Sequence, residues 1–536
     1  MIKKITVLSN LNKEFPNVKN QGNKVIMDCS HLKNTSNFDI EIEFTSNIIA
    51  FRNFDYQWVD VKKNRIATEF SPKIIKLENG NFVQPNITEG IWETDARNPK
   101  MLYWKFNPEF SKPLTKYTGN SNAKIAVQSN SQLYFLNQPA LLFSENYALE
   151  FSRSKIPFSA VACFTDHCDF DTLENLVSQR IFFKSNNIKT TKGFFLNHFS
   201  KRGDNASYEN NAAEIDVWKN DGHELCYHSL SQSIKSDEQS QLDFINFTPP
   251  YSDIPVWIDH GYQPYNFSLF EKNKISSKDF EMVLQKKNIK ILWNYIDSGT
   301  TTNGVINQLN PNHFTLNSFY KGNKNGSKIK VAQAIIKNIV FHYRNEDKII
   351  SKYKATAQHF KKIIYQKKIN TIPRFLIDFT ILFKSIAGVL LFWNSNKNKP
   401  YKLSKYTPLL FRHKINEVET VVFQTVEMID FSKSLSKKNI DVLINESGIF
   451  IAHTYFSDTI SYHDGKLLTA KNEINPSVKE NFNYLGLKIK EQKIWNPTLS
   501  EFYQYVNQLE NVVLDLDADG NIIALNADNL QYRKIQ

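Results

Sequence analysis

"PFSAVACFTDHCDFDT", Pro157 to Thr172, is the stretch on which the fold turns. An apolar run from Ala160 to Phe164 ends in a cluster of polar side chains: Thr165, Asp166, His167 and Asp169. Such a run is an apolar strand with chemistry at its C-terminal end. The segments downstream of it set the class. "DTLENLVSQRIFFKSNN" has the texture of a helix, "KTTKGFFLNHF" of a strand, "NAAEIDVWKNDG" of a helix and "HELCYHS" of a strand. Strand and helix in alternation specify a parallel α/β sheet or barrel. In such folds the residues at the C-terminal ends of the strands face the site. Asp166, His167, Asp169 and His228 all fall there. A late strand, "GIFIAHTYFSD", ends on His453, and "KEQKIWNPTLSEFYQYVNQL" continues as a strand or turn and then a helix.

Upstream, residues 1–150 read as β-rich. "FDIEIEF" (Phe38 to Phe44) alternates apolar and acidic residues with the period of a half-buried strand. "IIKLENGNFVQ" sets Asn79-Gly80 between two apolar runs, a hairpin signal, and "MLYWKF" is a further strand. This region shows no chemical constellation and is expected to be a sandwich-like accessory domain. At the other end, "DLDADG" (Asp515 to Gly520) resembles the start of a calcium loop. Its twelfth position is Asn526 rather than Glu, and its flanks read as strands, so a hairpin turning at Asp519-Gly520 is expected.

The chain has 536 residues, which suggests two to three domains. Hydrophobic residues make up 41% and aromatics 13%, enough to build cores and to exclude global disorder. Its four cysteines form no C-x-x-C pair, which argues against a thiolate zinc knuckle. So few cysteines, and an N-terminus without an apolar signal segment, point to the cytoplasm. The net charge of +12 is uneven. From Lys348 to Lys414 there are 15 Lys and Arg against one acid, Asp378; the rest of the chain carries 51 basic and 53 acidic residues. This is a near-neutral protein with one basic insert. "TIPRFLIDFTILFKSIAGVLLFW" (Thr371 to Trp393) lies in that insert. Asp378 and Lys384 interrupt it, so it is expected to lie on an anionic membrane surface or pack on the barrel rather than span a bilayer. The aromatic residues form no RNA-binding motif, so nucleic acid is not an expected partner.

"CFTDHCDFDT", "GHELCYHSLSQ", "WIDHGYQPYN", "ILWNYIDSG" and "FIAHTYFS" occur in the order of the five motifs of polysaccharide deacetylases, which the chain resembles over about 156–300 and 440–510. These are carbohydrate esterases on a deformed β/α barrel, and "GHELCYHS" carries most of the likeness. The resemblance implies hydrolysis with a divalent metal, zinc by preference. It implies Asp166 as base and His453 as general acid, with Trp293 and Asp297 lining and orienting that acid. His228 would ligate the metal. Either His167 or Asp169 would replace the family's metal-binding second Asp, and Asp169 is favoured. Three features depart from the pattern: Gln232 stands where the second motif-two His is usual, motif one reads "TDHCD" instead of adjacent aspartates, and motif three lacks its Arg, offering Asp259 and His260. His260 is therefore the expected third ligand, ahead of His167. Gln232 is left to donate to an acetyl oxygen or hold a water.

The fold class expected is thus α/β: a β-rich domain at 1–150, a deformed β/α barrel at 151–515 interrupted by a basic helical insert at 320–435, and a hairpin or tail at 516–536. The expected function is metal-dependent removal of an acetyl group from an N- or O-acetylated sugar, by a hydrolase of non-peptide carbon–nitrogen bonds. Two alternatives stand beside it: a catalytically silent barrel that binds glycan or organises surface-polysaccharide assembly, and a hydrolase of a non-sugar C–N bond. Expected partners are a carbohydrate and, through 348–414, the surface of an anionic membrane.

Overall fold

The computed structural model describes residues 1–9, 12–32, 35–118, 123–129, 137–198, 206–231, 236–260, 267, 270, 275–457, 466–469 and 472–536. Its first part is two antiparallel sheets. One runs in the order Asn12–Glu14, Ile2–Ser9, Phe38–Phe44, Asn98–Phe106, Ile91–Asp95, Ile66–Ala67; the other runs Asn17–Gln21, Lys24–Asp28, Ala140–Ser144, Phe82–Pro85, Ile75–Leu77, Ile48–Arg52, Trp58–Val59. The alternation in "FDIEIEF" explains the packing. Its Phe and Ile side chains are buried while Asp39, Glu41 and Glu43 are half-buried. Ile40, Ile42, Trp92 and Trp104 of one sheet share a core with Met27, Phe51, Val83 and Phe143 of the other. The Asn79-Gly80 stretch turns between paired strands, with Gly80 in the left-handed region at φ +90°.

The second part is a mixed α/β unit on a curled, half-barrel sheet. Its strand order is Asp297–Thr300, Thr425–Glu427, Ile449–Thr454, Ala160–Asp166, Thr191–Phe194, Glu224–His228, Val256–Ile258, Ile291–Trp293, Val418–Phe423, Leu410–Ile415, and Ile494–Trp495 also pairs with the fourth of these. All neighbours are parallel except the Leu410–Ile415/Val418–Phe423 hairpin. The two outer regions of this order are joined through the chain. Ile291–Trp293 runs on into Asp297–Thr300, and Val418–Phe423 into Thr425–Glu427. The late strand Ile449–Thr454 lies directly beside Ala160–Asp166, pairing His453 with Thr165. The blocks before and after the insert therefore share one sheet. Thr172 caps the first helix, Leu173–Ser185, its side chain accepting from Asn175 N.

Along the buried strands, side chains alternate between two cores. Ala160, Ala162 and Phe164 pack against Leu176, Phe182 and Trp218 of the covering helices. Val161 and Cys163 face the opposite core together with Cys226, Trp293 and Ile451.

Two expected boundaries move. The insert does not run to 435: the strands from Leu410 to Glu427 belong to the sheet, and the helical part covers Leu316 to Asn396. The C-terminal hairpin starts at Leu514 instead of 516, turns with Gly520 at φ +76°, and is followed by Tyr532–Ile535, which pairs with Ala148–Phe151. In the insert, Asp347–Gln366 and Ile372–Leu391 form an antiparallel pair of helices. Asp378, the charge inside the apolar run, is buried between them and accepts from Lys352 at 2.7 Å, with His359 at 3.6 Å. Among the described residues, no helix is long and apolar enough to cross a membrane.

Arg153 fastens the two parts. Its buried guanidinium donates to the carbonyls of Phe54 (2.6 Å) and Phe70 (3.1 Å) in the β-rich part and of Ser447 (3.0 Å) in the α/β part. Arg153→Met would strand these acceptors in the junction at a cost of about 3 kcal/mol or more, since charged hydrogen bonds are worth roughly 1.5–3 kcal/mol each. The expected outcome is a clear drop in the urea midpoint; an unchanged midpoint would show that the junction does not depend on this residue.

Candidate active site

The C-terminal strand ends place five imidazole or carboxylate side chains in one cluster. His228 ends Glu224–His228 on the parity of Cys226, so it points to the inner core, and His453 does the same on the parity of Ile449 and Ile451. His167 follows the end of Ala160–Asp166, where its N–H bonds to Thr454 O at 2.9 Å. Its ring centroid lies 4.5 Å from His228, 4.4 Å from His453, 4.9 Å from Trp293 and 4.8 Å from Tyr455. Phe195 stacks on His228 at 5.3 Å and meets His260 at 5.7 Å.

Asp169 ties the histidines together. Its Oδ2 lies 2.9 Å from His228 Nε2 and its Oδ1 2.8 Å from His260 Nε2. Burial pushes the Asp169 carboxyl up, but His260 and His228 outweigh it and hold the group well below the usual carboxylate range. His167 Nδ1 stands 3.3 Å from the same His228 Nε2. His167, Asp169 and His228 offer ligand atoms that all lie within 4.8 Å of one another.

The donor chemistry of His228 tests whether a cation fits. Its Nδ1 faces the carbonyl of Ile258 at 3.4 Å and its Nε2 the Asp169 carboxylate at 2.9 Å, two groups that can only accept. The neutral ring has one hydrogen for the two, and with it on Nδ1 the Nε2 lone pair meets a carboxylate. The imidazolium form would resolve that clash, yet burial holds the His228 pKa below its ordinary value. A divalent ion held by His228 and Asp169 would satisfy both groups, and a His fixed through its other nitrogen by a backbone carbonyl is the usual support for a metal ligand. The residues present fit a metal. The third ligand has two candidates: hydrogen-bond geometry favours His260, whose Nε2 meets the same carboxylate, while mutual spacing favours His167.

His453 brings a second carboxylate to this cluster. Asp297 Oδ1 and Oδ2 lie 3.1 and 3.3 Å from His453 Nδ1, and Thr425 Oγ1 donates to Asp297 Oδ1 at 2.6 Å. Burial raises the Asp297 carboxyl, but His453 more than offsets it, leaving the group below its ordinary value. Trp293 packs edge-on to His453 at 4.7 Å, its Nε1 donating to Ile296 O and Thr425 Oγ1.

Asp166, expected as the base, is placed elsewhere. It shares the parity of Ala160, Ala162 and Phe164 and so points to the helix layer. There it is ion-paired with buried Lys192, which also holds Asp171 and donates to Gln179 Oε1 at 3.0 Å. The second Asp166 oxygen accepts from Phe456 N at 3.2 Å. Burial works against the Lys192 ammonium, but Asp166 and Asp171 outweigh it and hold the cation above the usual lysine range. Gln232 lies outside the described residues. Lys192, Tyr455 and Phe195 were not singled out from the sequence; Tyr455 follows His453 by two positions, a spacing that carries no signal by itself.

The chain matches no family model, and no curated protein matches it. Among solved structures it is similar to a glycoside hydrolase family 97 enzyme in complex with acarbose from Pseudoalteromonas sp. strain K8, at 10% identity and a TM-score of 0.21, covering 55% of this chain and 58% of that one. It is also similar to a Flavobacterium johnsoniae GH31 dextranase complexed with isomaltotriose, at 6% identity and a TM-score of 0.22, covering 53% of this chain and 40% of that one. Overlaps this loose transfer neither fold nor chemistry.

Replacing Lys192 checks the placement of Asp166. Lys192→Met would leave two buried carboxylates without their cation, a loss of about 3–5 kcal/mol. Asp166→Asn, which keeps the shape and leaves Lys192 with Asp171, should cost markedly less. Equilibrium unfolding of both variants gives the comparison; an Asp166→Asn loss equal to that of Lys192→Met would mean that Asp171 alone does not hold Lys192, and no loss at all would mean that Asp166 is not its partner.

Proposed function

We propose that the protein is a metal-dependent hydrolase that removes an acetyl group from an N- or O-acetylated sugar, on a deformed β/α barrel. One observation carries the hydrolytic part: His228 and His260 converge on the two oxygens of Asp169, with the far nitrogen of His228 committed to the Ile258 carbonyl. The sugar part rests on the order of the five motifs in the sequence.

In this reading Asp169, His228 and His260 would hold a divalent ion, zinc by preference, three protein ligands being the usual set of a catalytic site. When bound, such an ion polarises the acyl oxygen and lowers the pKa of a neighbouring water. The base is reassigned from Asp166 to His167. Both Asp166 oxygens are engaged in the helix layer, whereas His167 Nε2 is buried and meets no hydrogen-bond partner among the described residues. Burial first, then His453 and His228, keep the His167 imidazole neutral, able to accept a proton from water at Nε2. His453 faces it across 4.4 Å and serves as the acid for the leaving amine or alkoxide. Asp297 fixes the His453 ring through Nδ1, so that Nε2 is the atom that transfers the proton. Trp293 packs edge-on against both imidazoles and Tyr455 lies tilted against His167, which fixes how the two rings are set.

Elemental analysis and acetate release test the reading together. His228→Ala and Asp169→Ala should each lose the metal, since two remaining ligands hold zinc poorly. His167→Ala should keep the metal and lose about 100- to 10,000-fold in kcat, the typical worth of a positioned base. Asp297→Asn should also keep the metal and lower kcat. If His167→Ala loses the metal instead, His167 is the third ligand. If zinc-loaded wild type frees no acetate from acetylated amino sugars or nucleotide sugars, a silent, glycan-binding barrel or a non-sugar substrate becomes the better account, and a panel of non-sugar amides separates those two.

A further inference from the structure

The paired helices of the basic insert show one buried face and one bare face. On Ile372–Leu391, the side chains of Asp378, Leu382, Ile386 and Val389 are buried toward the protein. The opposite face is apolar and open. Leu376, Ile377, Phe379, Phe383, Leu390 and Leu391 are all exposed, Leu391 to 81% of its surface. Rings of Phe375, Phe379 and Phe383 follow one another along it at 5.7 and 6.0 Å, with Phe360 of the partner helix 6.3 Å from the first. The last turn of the first helix adds Tyr365 and the connection between the helices Ile369, exposed to 79% and 72%. A monomer rarely leaves so much contiguous apolar surface bare without a use for it.

Charge selects the occupant. Lys361, Lys367, Lys368, Arg374 and Lys384 are exposed on the same two helices and the turn between them, and none is ion-paired among the described residues. The only acid from Lys348 to Lys414, Asp378, is spent on Lys352. Two copies of this surface set face to face would bring like charges together. An anionic lipid surface meets both features, taking the Phe and Leu side chains into its headgroup boundary and the lysines onto its phosphates. Lys384 within the bare face argues against full insertion.

We propose that this pair of helices docks the protein peripherally on an anionic membrane leaflet, its axis parallel to the surface, through Leu376, Phe379, Phe383 and Leu391 with Lys361, Lys367 and Lys368. The proposal goes beyond the catalytic reading and does not depend on it. The test is flotation of the full chain with vesicles of phosphatidylcholine alone and of phosphatidylcholine mixed with phosphatidylserine. The full chain should float with the mixed vesicles only and be released by salt, because the attraction is screened within a Debye length. Lys361→Gln/Lys367→Gln/Lys368→Gln should weaken binding on the order of 100-fold, three charges at about fivefold apiece. Phe379→Ser/Phe383→Ser/Leu391→Ser, all at exposed positions, should also lose flotation while keeping the far-ultraviolet circular dichroism of the wild type. Equal or absent binding to both vesicle types would overturn the proposal, as would binding that survives either triple substitution. So would a dimer in solution that the Phe379/Phe383/Leu391 variant dissolves, since a second copy would then be the occupant.

Discussion

Alternation of side chains along strands buried on both faces governs this molecule. In the central sheet one set of positions must satisfy the covering helices and the other must fill the interior. At the C-terminal ends of the strands the same rule sorts chemistry. His228 and His453 continue the inner rows begun by Cys226 and Ile451, and Trp293 continues that of Ile291. Asp166 continues the row of Ala162 and Phe164 and is delivered to the helices. A residue between two faces of a sheet has no third choice. The segment "TDHCD" resolves the conflict by leaving the strand after Asp166, which lets His167 and Asp169 turn inward.

The ionisable groups thus fall into two classes separated by the thickness of the sheet. In the helix layer Lys192 is ion-paired with both Asp166 and Asp171, and Gln179 bridges Asp171 to Ser457. Every charge there has its partner, which is what a structural network requires. On the inner face the balance is incomplete. Two imidazoles meet one carboxylate, and a third imidazole carries a buried nitrogen with nothing to meet among the described residues. Such a deficit is costly to fold, and an ion or substrate held in the space would meet it.

The basic insert obeys a different logic. Between the sheet strands Asp297–Thr300 and Leu410–Ile415, the chain leaves to build helices and then returns. Its root is anchored: His342 Nε2 lies 3.1 Å from Thr300 Oγ1, and that hydroxyl donates to Glu427 at 2.8 Å. Buried Asp378 joins the two long helices through Lys352, so the charge that interrupts the apolar run is a clasp between them. Each helix needs only one face for that contact, and the remaining apolar side chains are left outward.

Periodicity alone determined a good deal. The two-residue alternation of "FDIEIEF", the strand–helix–strand cadence from Ala160 to His228 and the polar strand ends are local properties, written in neighbouring residues, and they mark the α/β class and the residues near its mouth. The same alternation puts Asp166 on one face with Ala160, Ala162 and Phe164, but which face meets the helices is not written in the strand, and the sequence reading set Asp166 in the site. The sequence could not show that Lys192 meets Asp166, that Asp169 bridges His228 and His260, or that the strands from Leu410 to Glu427 complete the sheet. These depend on parallel registers between segments up to about 290 residues apart, such as Thr165 beside His453. A strand carries its own parity but not its neighbour's. Only closure of the tertiary fold, which sets one strand against another at a fixed register, decides which charges share a space.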